Sequence, residues 1–376
     1  MEKKLICPRC NNTNPAYFYL GSKGYYCRKC IGFSQSLIAQ SLEFDAVIPI
    51  ESEYQLPFEL SAKQIKAAEI VKNNYQNNNI LVYAACGAGK SELMLPLIKD
   101  ALSKGYIVGW AIPRRSVVIQ LAQRLQEYFN SIKVISVCQG YTDVIFADLI
   151  ICTTYQLYRY TKYFDYLIID EPDAFPFKNN ELLQNIALNS YKNKLIFLTA
   201  TPDDFVLSKY DIKVELFARA HGYDLIVPEI KQTIKYFDIL VLFNLIRKNT
   251  GKLLVFIPTI KLTKQLYYLF KSFFKCQMIT SLTNNKDETI SDFIESDKMV
   301  LFSTTILERG VTIPNVNVVV FRANHIVFDT ASLVQMTGRV GRVVDYPDGD
   351  CFFIVNQKSS EVSECLNLLK DMIKNA

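Results

Sequence analysis

The run Leu81-Val-Tyr-Ala-Ala-Cys-Gly87-Ala88-Gly89-Lys90-Ser91-Glu92-Leu93 constrains the fold of this 376-residue chain more than any other feature. An apolar stretch enters a glycine-rich loop, and the loop enters a helical segment. A phosphate is gripped by backbone N–H groups pointing inward, and only small residues such as Gly87, Ala88 and Gly89 let the backbone approach closely. Lys90 would then meet the β- and γ-phosphates of a nucleotide, and Ser91 would hold Mg2+. Ala84 stands where the stricter pattern has glycine, which makes this the looser variant. On its own the run also admits the reading of an ordinary strand-to-helix turn.

Three further runs follow in order. Tyr166-Leu-Ile-Ile169 is an apolar strand that ends in Asp170-Glu171-Pro172-Asp173. Carboxylates at the carboxyl end of a parallel strand sit beside the phosphate crevice. Asp170 would hold Mg2+, and Glu171 would orient or deprotonate the attacking water. Next, Thr199-Ala-Thr201-Pro202 follows an expected strand at Lys194–Leu198, and in isolation would be a polar turn. Last comes Gln335-Met-Thr-Gly-Arg339-Val-Gly-Arg342. Two arginines three apart share one side of a helical turn and can stabilise charge on a γ-phosphate as arginine fingers. Alone, they read as surface arginines near a helix end.

The chain around these motifs alternates short apolar runs with amphipathic segments. Ile80–Ala85, Ile107–Ile112, Leu149–Thr153, Tyr166–Ile169 and Lys194–Leu198 suit strands of a parallel sheet buried on both faces. The same grammar restarts after about residue 225 with Lys252–Ile257, Met299–Ser303, Val316–Phe321 and Cys351–Val355. Helices are expected at Lys261–Phe274, Ala331–Gly338 and Glu361–Ile373. The stretch Asp203–Val227 has no strong pattern and is expected to bridge two α/β lobes. The expected domains are a module at 1–40, a linker at 41–57, lobe one at 58–215 and lobe two at 216–376.

The N-terminal module is a separate argument. Cys7-Pro-Arg-Cys10 and Cys27-Arg-Lys-Cys30 are two C-x-x-C knuckles that can present four sulfurs to Zn2+, with Gly21 and Gly24 expected at a turn between two hairpins. A redox dithiol pair and an iron–sulfur site are the alternatives. Forty residues support little core, so zinc would supply folding energy. Tyr17, Phe18, Tyr19, Tyr25 and Tyr26 lie between the knuckles, either packed around the metal or available for stacking on bases. The other six cysteines are scattered, several in apolar runs, which suits a reducing compartment better than disulfides. Six basic residues against Glu2 alone place the whole net charge of +5 in the module; a solvated surface explains this as well as a DNA-facing patch does. No apolar stretch of membrane-spanning length is present, and a cytoplasmic protein is expected. The only histidines, His221 and His325, neighbour no candidate nucleophile, so no hydrolase triad emerges.

Taken together, the ordered motifs resemble superfamily 2 helicase motors, α/β proteins whose two RecA-like P-loop NTPase lobes clamp ATP. The resemblance implies adenine reading by Gln64 of Leu60-Ser61-Ala-Lys-Gln64, and phosphate-backbone contacts from Arg114, Arg115, Thr153 and Thr154. In Ser303-Thr304-Thr305-Ile-Leu-Glu308-Arg309-Gly310-Val-Thr312 it implies a DNA contact at Thr304 and nucleotide contacts at Gly310 and Thr312. Asp173, Thr199 and Thr201 would couple the nucleotide to the strand, and Gln335, Arg339 and Arg342 would join Lys90, Asp170 and Glu171 in hydrolysis. Longer runs (170–177, 218–222, 307–316 and 333–342, with Pro347-Asp-Gly-Asp350), joined to a four-cysteine, zinc-ribbon-like module, resemble the ComFA family of late competence proteins. That resemblance implies an ATP-, Mg2+- and Zn2+-dependent motor on single-stranded DNA, acting in uptake of transforming DNA. It also implies a ComFC-like partner and a membrane uptake channel, with a peripheral position at the inner membrane face. A primosome- or repair-type duplex-unwinding helicase, an RNA helicase, and a non-catalytic zinc-ribbon DNA-binding protein are the rival readings.

Overall fold

The computed structural model describes residues 5–33, 48–220, 222–234, 236–357 and 359–376. His221, part of the expected linker and the last residues of the expected module lie outside these. The chain divides into two compact units, one comprising Met1–Ala84 with Gly89–Leu216, the other Ala85–Ala88 with Phe217–Ala376.

The first unit begins with a hairpin of β1 (Phe18–Gly21) and β2 (Gly24–Cys27), paired Phe18↔Cys27 through Gly21↔Gly24. The two glycines therefore flank the tip of one hairpin, where a turn between two hairpins had been expected. Seven parallel strands follow: β3 (Ile80–Ala84), β4 (Val108–Ile112), β5 (Val134–Val137), β6 (Leu149–Thr153), β7 (Phe164–Asp170), β8 (Tyr191–Thr199) and β9 (Ile212–Leu216). Their spatial order is β5-β6-β4-β7-β8-β3-β9. Central strands β4 and β6 are buried at every residue, as both-face coverage by helices requires. β9 lies within the stretch expected to be a patternless bridge. It alternates Ile-Lys-Val-Glu-Leu and forms the sheet edge beside β3, where only alternate side chains are covered.

The second unit repeats the plan. β10 (Glu229–Gln232), β11 (Lys252–Phe256), β12 (Cys276–Ile279), β13 (Val300–Ser303), β14 (Val316–Phe321) and β15 (Cys351–Val355) form an all-parallel sheet ordered β10-β15-β14-β11-β13-β12. Leu253, Val255, Phe302, Val319 and Phe321 pack against Leu242, Leu266 and Phe270 from the helices Asp238–Lys248 and Ile260–Phe270. Each lobe is thus a parallel sheet flanked by helices, the RecA-like plan.

Candidate nucleotide site and zinc centre

Sheet register assembles the first cluster. β7, β8 and β3 are neighbours, with Asp170 level with Leu198 and Thr199 level with Tyr83. Asp170, Thr199 and the phosphate loop thereby leave three adjacent carboxyl ends, the position where open α/β sheets bind ligands. Gly87 and Gly89 have φ of +83° and +79°. The φ at Gly89 favours glycine, and a Cβ there would lie 2.4 Å from Gln64 Nε2 and displace that amide. Gln64 is buried and closes a capping box with Ser61, its Oε1 accepting from Ser61 N at 2.9 Å. Lys90 Nζ donates to Ala84 O at 3.2 Å. Behind the loop the chain makes one 3-10 turn, Glu92–Met94, before an α-helix opens at Leu95–Ser103, with Pro96 in its first turn.

Glu171 holds a φ of +51°, strained for a non-glycine residue, while its N–H donates to Leu198 O at 2.9 Å. Burial, followed by the charge of Glu171, pushes the Asp170 carboxyl up to about 7, with Lys90 pulling the other way. A carboxylate this reluctant to ionise sits where a divalent cation would hold it charged, so the donor set fits Mg2+. Asp173 is buried and accepts from Thr199 Oγ1 at 2.5 Å and Thr201 Oγ1 at 2.9 Å, tying the end of β8 to the turn after β7.

Expected strand-contacting residues are placed less uniformly. Arg114 precedes the helix Arg115–Tyr128. Arg115 Nε donates to Gln139 O at 2.8 Å, with the guanidinium over the Tyr141 ring. Thr153 and Thr154 are buried, and the Thr154 hydroxyl has no partner among the described residues. The chain runs from β6 into the 3-10 segment Thr154–Arg159, which turns that side chain inward.

In the second unit Thr304 follows β13, with Gly310 (φ +85°) and Thr312 beyond it. Gln335 lies on the helix Thr330–Thr337, which ends at Gly338. Arg339 and Arg342 therefore do not share a helical turn, because Gly341 takes a φ of +62° and redirects the chain. Arg339 is buried, its Nε donating to Glu308 O at 3.1 Å and its Nη1 to Val311 O, whereas Arg342 is exposed. One residue escaped the sequence reading as a site member. Arg219 is also buried, and its Nη1 donates to Gly341 O. Its Nε and Nη2 have no partner among the described residues, and burial lowers its pKa. The 218–222 run had marked this arginine without giving it a task.

The four knuckle cysteines are all buried, with sulfurs within 4.8 Å of one another. Cys7 to Cys30 and Cys10 to Cys27 are each 3.8 Å. A tetrahedron with Zn–S bonds of about 2.3 Å has edges of about 3.8 Å, so the set fits zinc. Hydrogen bonds from Cys10 and Cys30 hold the Cys7 thiol well below its usual range, and Cys30 is pushed well above its own through Cys10 and Cys7. Crowded thiols of this kind ionise together only around a cation.

Comparison with known proteins finds a family model in each lobe and relatives along the whole chain. Residues 57–204 match the family model described as type III restriction enzyme, res subunit, and residues 235–344 match the helicase conserved C-terminal domain. Competence protein ComFA of Streptococcus pneumoniae is 33% identical, over 99% of this chain and 91% of its own length. The chain belongs to the ComFA family. ComFA of Bacillus subtilis is 29% identical, over 99% of this chain and 86% of its own length. The fold of this ComFA-family protein is that of S. cerevisiae Dbp5 bound to RNA and ADP BeF3, with a TM-score of 0.60, 18% identity, and coverage of 84% of this chain and 92% of that one. It is also that of RecG bound to a three-way DNA junction, with a TM-score of 0.59, 23% identity, and coverage of 84% and 45%. This ComFA-family chain is thus a superfamily 2 helicase-type protein with a four-cysteine module.

Proposed function

We propose that this protein is an ATP-driven translocase on single-stranded DNA that serves the uptake of transforming DNA. The observation that carries the reading is the meeting of the phosphate loop, Asp170, Glu171 and the Asp173–Thr199–Thr201 knot at three adjacent strand ends, in a chain whose ComFA likeness runs end to end. In this reading Gln64 recognises adenine. Lys90 and the loop backbone at Gly87, Ala88 and Gly89 grip the phosphates, and Ser91 and Asp170 hold Mg2+, which supplies charge neutralisation at the phosphates. Glu171 orients the attacking water and accepts its proton. Gln335, Arg339, Arg342, Gly310 and Thr312 serve the same nucleotide from lobe two. The strand is gripped through its phosphates by Arg114, Arg115 and Thr304 and by the backbone at Thr153 and Thr154, whose side chains are buried, so binding is salt-sensitive and nearly blind to sequence.

No helix among the described residues is long and apolar enough to cross a membrane. We place the protein in the cytoplasm, at the inner face of a membrane channel and beside a ComFC-like partner. The deciding measurement is ATP hydrolysis with single-stranded DNA, duplex DNA and RNA side by side. Single-stranded DNA should stimulate most, and Lys90→Ala should abolish the response. Equal stimulation by RNA, or an active Lys90→Ala protein, would overturn the reading.

A further inference from the structure

We infer that the outward face of the zinc-module hairpin is a base-stacking surface for the single strand, a reading that rests on the proposed motor function and deepens it. The argument begins with strand alternation. Phe18 and Cys27 are opposite partners, and Phe18 packs with the buried cysteines. The next pair, Tyr19↔Tyr26, must then point to the opposite face, away from the metal. Packing around zinc therefore cannot be the task of these two rings. Their centroids lie 5.9 Å apart. Tyr19 is 52% exposed and Tyr17, just before the strand, 43%. The exposed Arg28 lays its guanidinium over the Tyr19 ring at 4.6 Å. A small hairpin thus displays tyrosines and a stacked guanidinium where solvation alone would favour short polar side chains.

Charge identifies the occupant. Described residues 5–33 hold Arg9, Lys23, Arg28 and Lys29 and no acidic residue; four thiolates around one Zn2+ leave this segment positive, and Lys23 and Arg28 are the exposed cations. Aromatic rings interleaved with cations are the combination that binds single strands irrespective of sequence, the rings taking bases and the cations taking phosphates.

Docking on lobe one supplies the link to the motor. Phe33 packs against Tyr155 and Tyr158, with centroids 6.0 and 5.5 Å away, Arg9 lies over the Tyr158 ring, and Lys29 pairs with Glu181 at 3.6 Å. Tyr155 and Tyr158 belong to the segment Thr154–Arg159, the one that opens with a residue proposed to meet the strand. The module that carries the hairpin is thereby fastened, through Phe33 and Arg9, to the element through which lobe one would feel DNA.

The test uses the full-length, zinc-loaded protein with a labelled oligo-dT strand and an abasic strand of equal length and charge. Wild type should bind the abasic strand about tenfold more weakly, within the range expected for losing one or two stacked bases. Tyr17→Ala/Tyr19→Ala should lose about tenfold for oligo-dT and nothing for the abasic strand, while Tyr19→Phe keeps wild-type affinity. Zinc content measured on each variant shows that the module is intact. Photo-crosslinking of wild type to a strand carrying 4-thiothymidine is independent of any variant's folding, and should label Tyr17, Tyr19 or Tyr26. Crosslinks confined to the two lobes, or an intact double variant that binds oligo-dT like wild type, would overturn the inference. DNA-stimulated hydrolysis assayed in parallel separates the two questions. If no single strand stimulates wild type, the motor reading fails; if stimulation is normal while the tyrosines are inert, only the stacking surface fails.

Discussion

In lobe one, Asp170 and Thr199 end adjacent strands whose register sets their level, and the loop that carries Lys90 leaves the next strand end. In lobe two, Gln335 lies in the last turn of a helix, and the run Arg339–Arg342 lies in the turn beyond it. There the backbone is held by two buried guanidiniums, Arg339 on Glu308 O and Val311 O, and Arg219 on Gly341 O. The architecture is repeated, but the means of positioning is not. Where strands do the positioning, a functional side chain can change without loosening the fold. Where a charged side chain is itself the tie, chemistry and stability change together.

The largest expected effect tests the first half of that contrast. Glu171→Gln keeps the shape of the side chain and removes its basicity. Turnover should fall by about 10²–10⁴-fold, the usual contribution of a positioned general base. The melting temperature should stay within about 2 °C, since the substitution is isosteric and relieves the repulsion between Glu171 and Asp170. Stopped-time phosphate release and a thermal melt on the same preparation check both. A melt lowered by several degrees would show that Glu171, at its φ of +51°, is part of the scaffold after all.

Arg339→Ala tests the second half. It strips one buried and one part-buried carbonyl of their donor, each bond worth about 1.5–3 kcal/mol as a charge-assisted one. A total near 3 kcal/mol should lower the melting temperature by about 6–12 °C for a lobe of this size. Turnover should fall with it. If turnover collapsed while the melt stayed put, Arg339 would act only on nucleotide, and the contrast between lobes would disappear.

The same physics decides what could be read from the sequence. Every central strand was legible, because helices cover both faces and the chain there is an unbroken apolar run, as at Leu149–Thr153 or Lys252–Phe256. Four strands were not: β5 and β9 at the edges of one sheet, β10 and β12 at the edges of the other. Ile-Lys-Val-Glu-Leu and Glu-Ile-Lys-Gln are half-exposed, so their composition resembles that of loops. Among site residues, those whose chemistry forces a residue type (Lys90, Asp170, Glu171, the four cysteines) stood out by spacing. Arg219 did not, because nothing in a sequence separates a buried guanidinium from a surface one; only its contact with Gly341 across 122 positions does that. The outward face of Tyr19 and Tyr26 likewise needed the register with Phe18 and Cys27.

Arg219→Met separates the two ties. Arg219 buries two donors that no described group accepts. Replacing a poorly satisfied buried charge by an apolar side chain is often near neutral, so the melt should move by less than about 3 °C. The Gly341 carbonyl nevertheless loses its anchor. A Cβ on Gly341 would lie 2.1 Å from Pro347 O, so this turn is closely packed and its alternatives are few. Turnover should fall about tenfold with KM for ATP little changed, the pattern of a positioning residue. A melt lowered as far as that of Arg339→Ala would make the two ties equivalent.

The smallest effect sharpens the comparison from within lobe one. Asp173 accepts both Thr199 Oγ1 and Thr201 Oγ1, and only Thr199 lies on a strand. Thr201→Val keeps the shape and deletes the second hydrogen bond, which costs about 0.5–1.5 kcal/mol and roughly 2–4 °C. Asp173 stays bonded to Thr199, so basal hydrolysis should remain within about twofold of wild type, the phosphate loop and Asp170 being held by register. What should drop is the ratio of DNA-stimulated to basal hydrolysis, because Thr201 lies beyond the strand end, where register no longer constrains the chain. If the ratio held while the melt fell, the Thr201 bond would be structural only. Strand register would then account for all the positioning in lobe one, and the two lobes would differ more sharply than proposed.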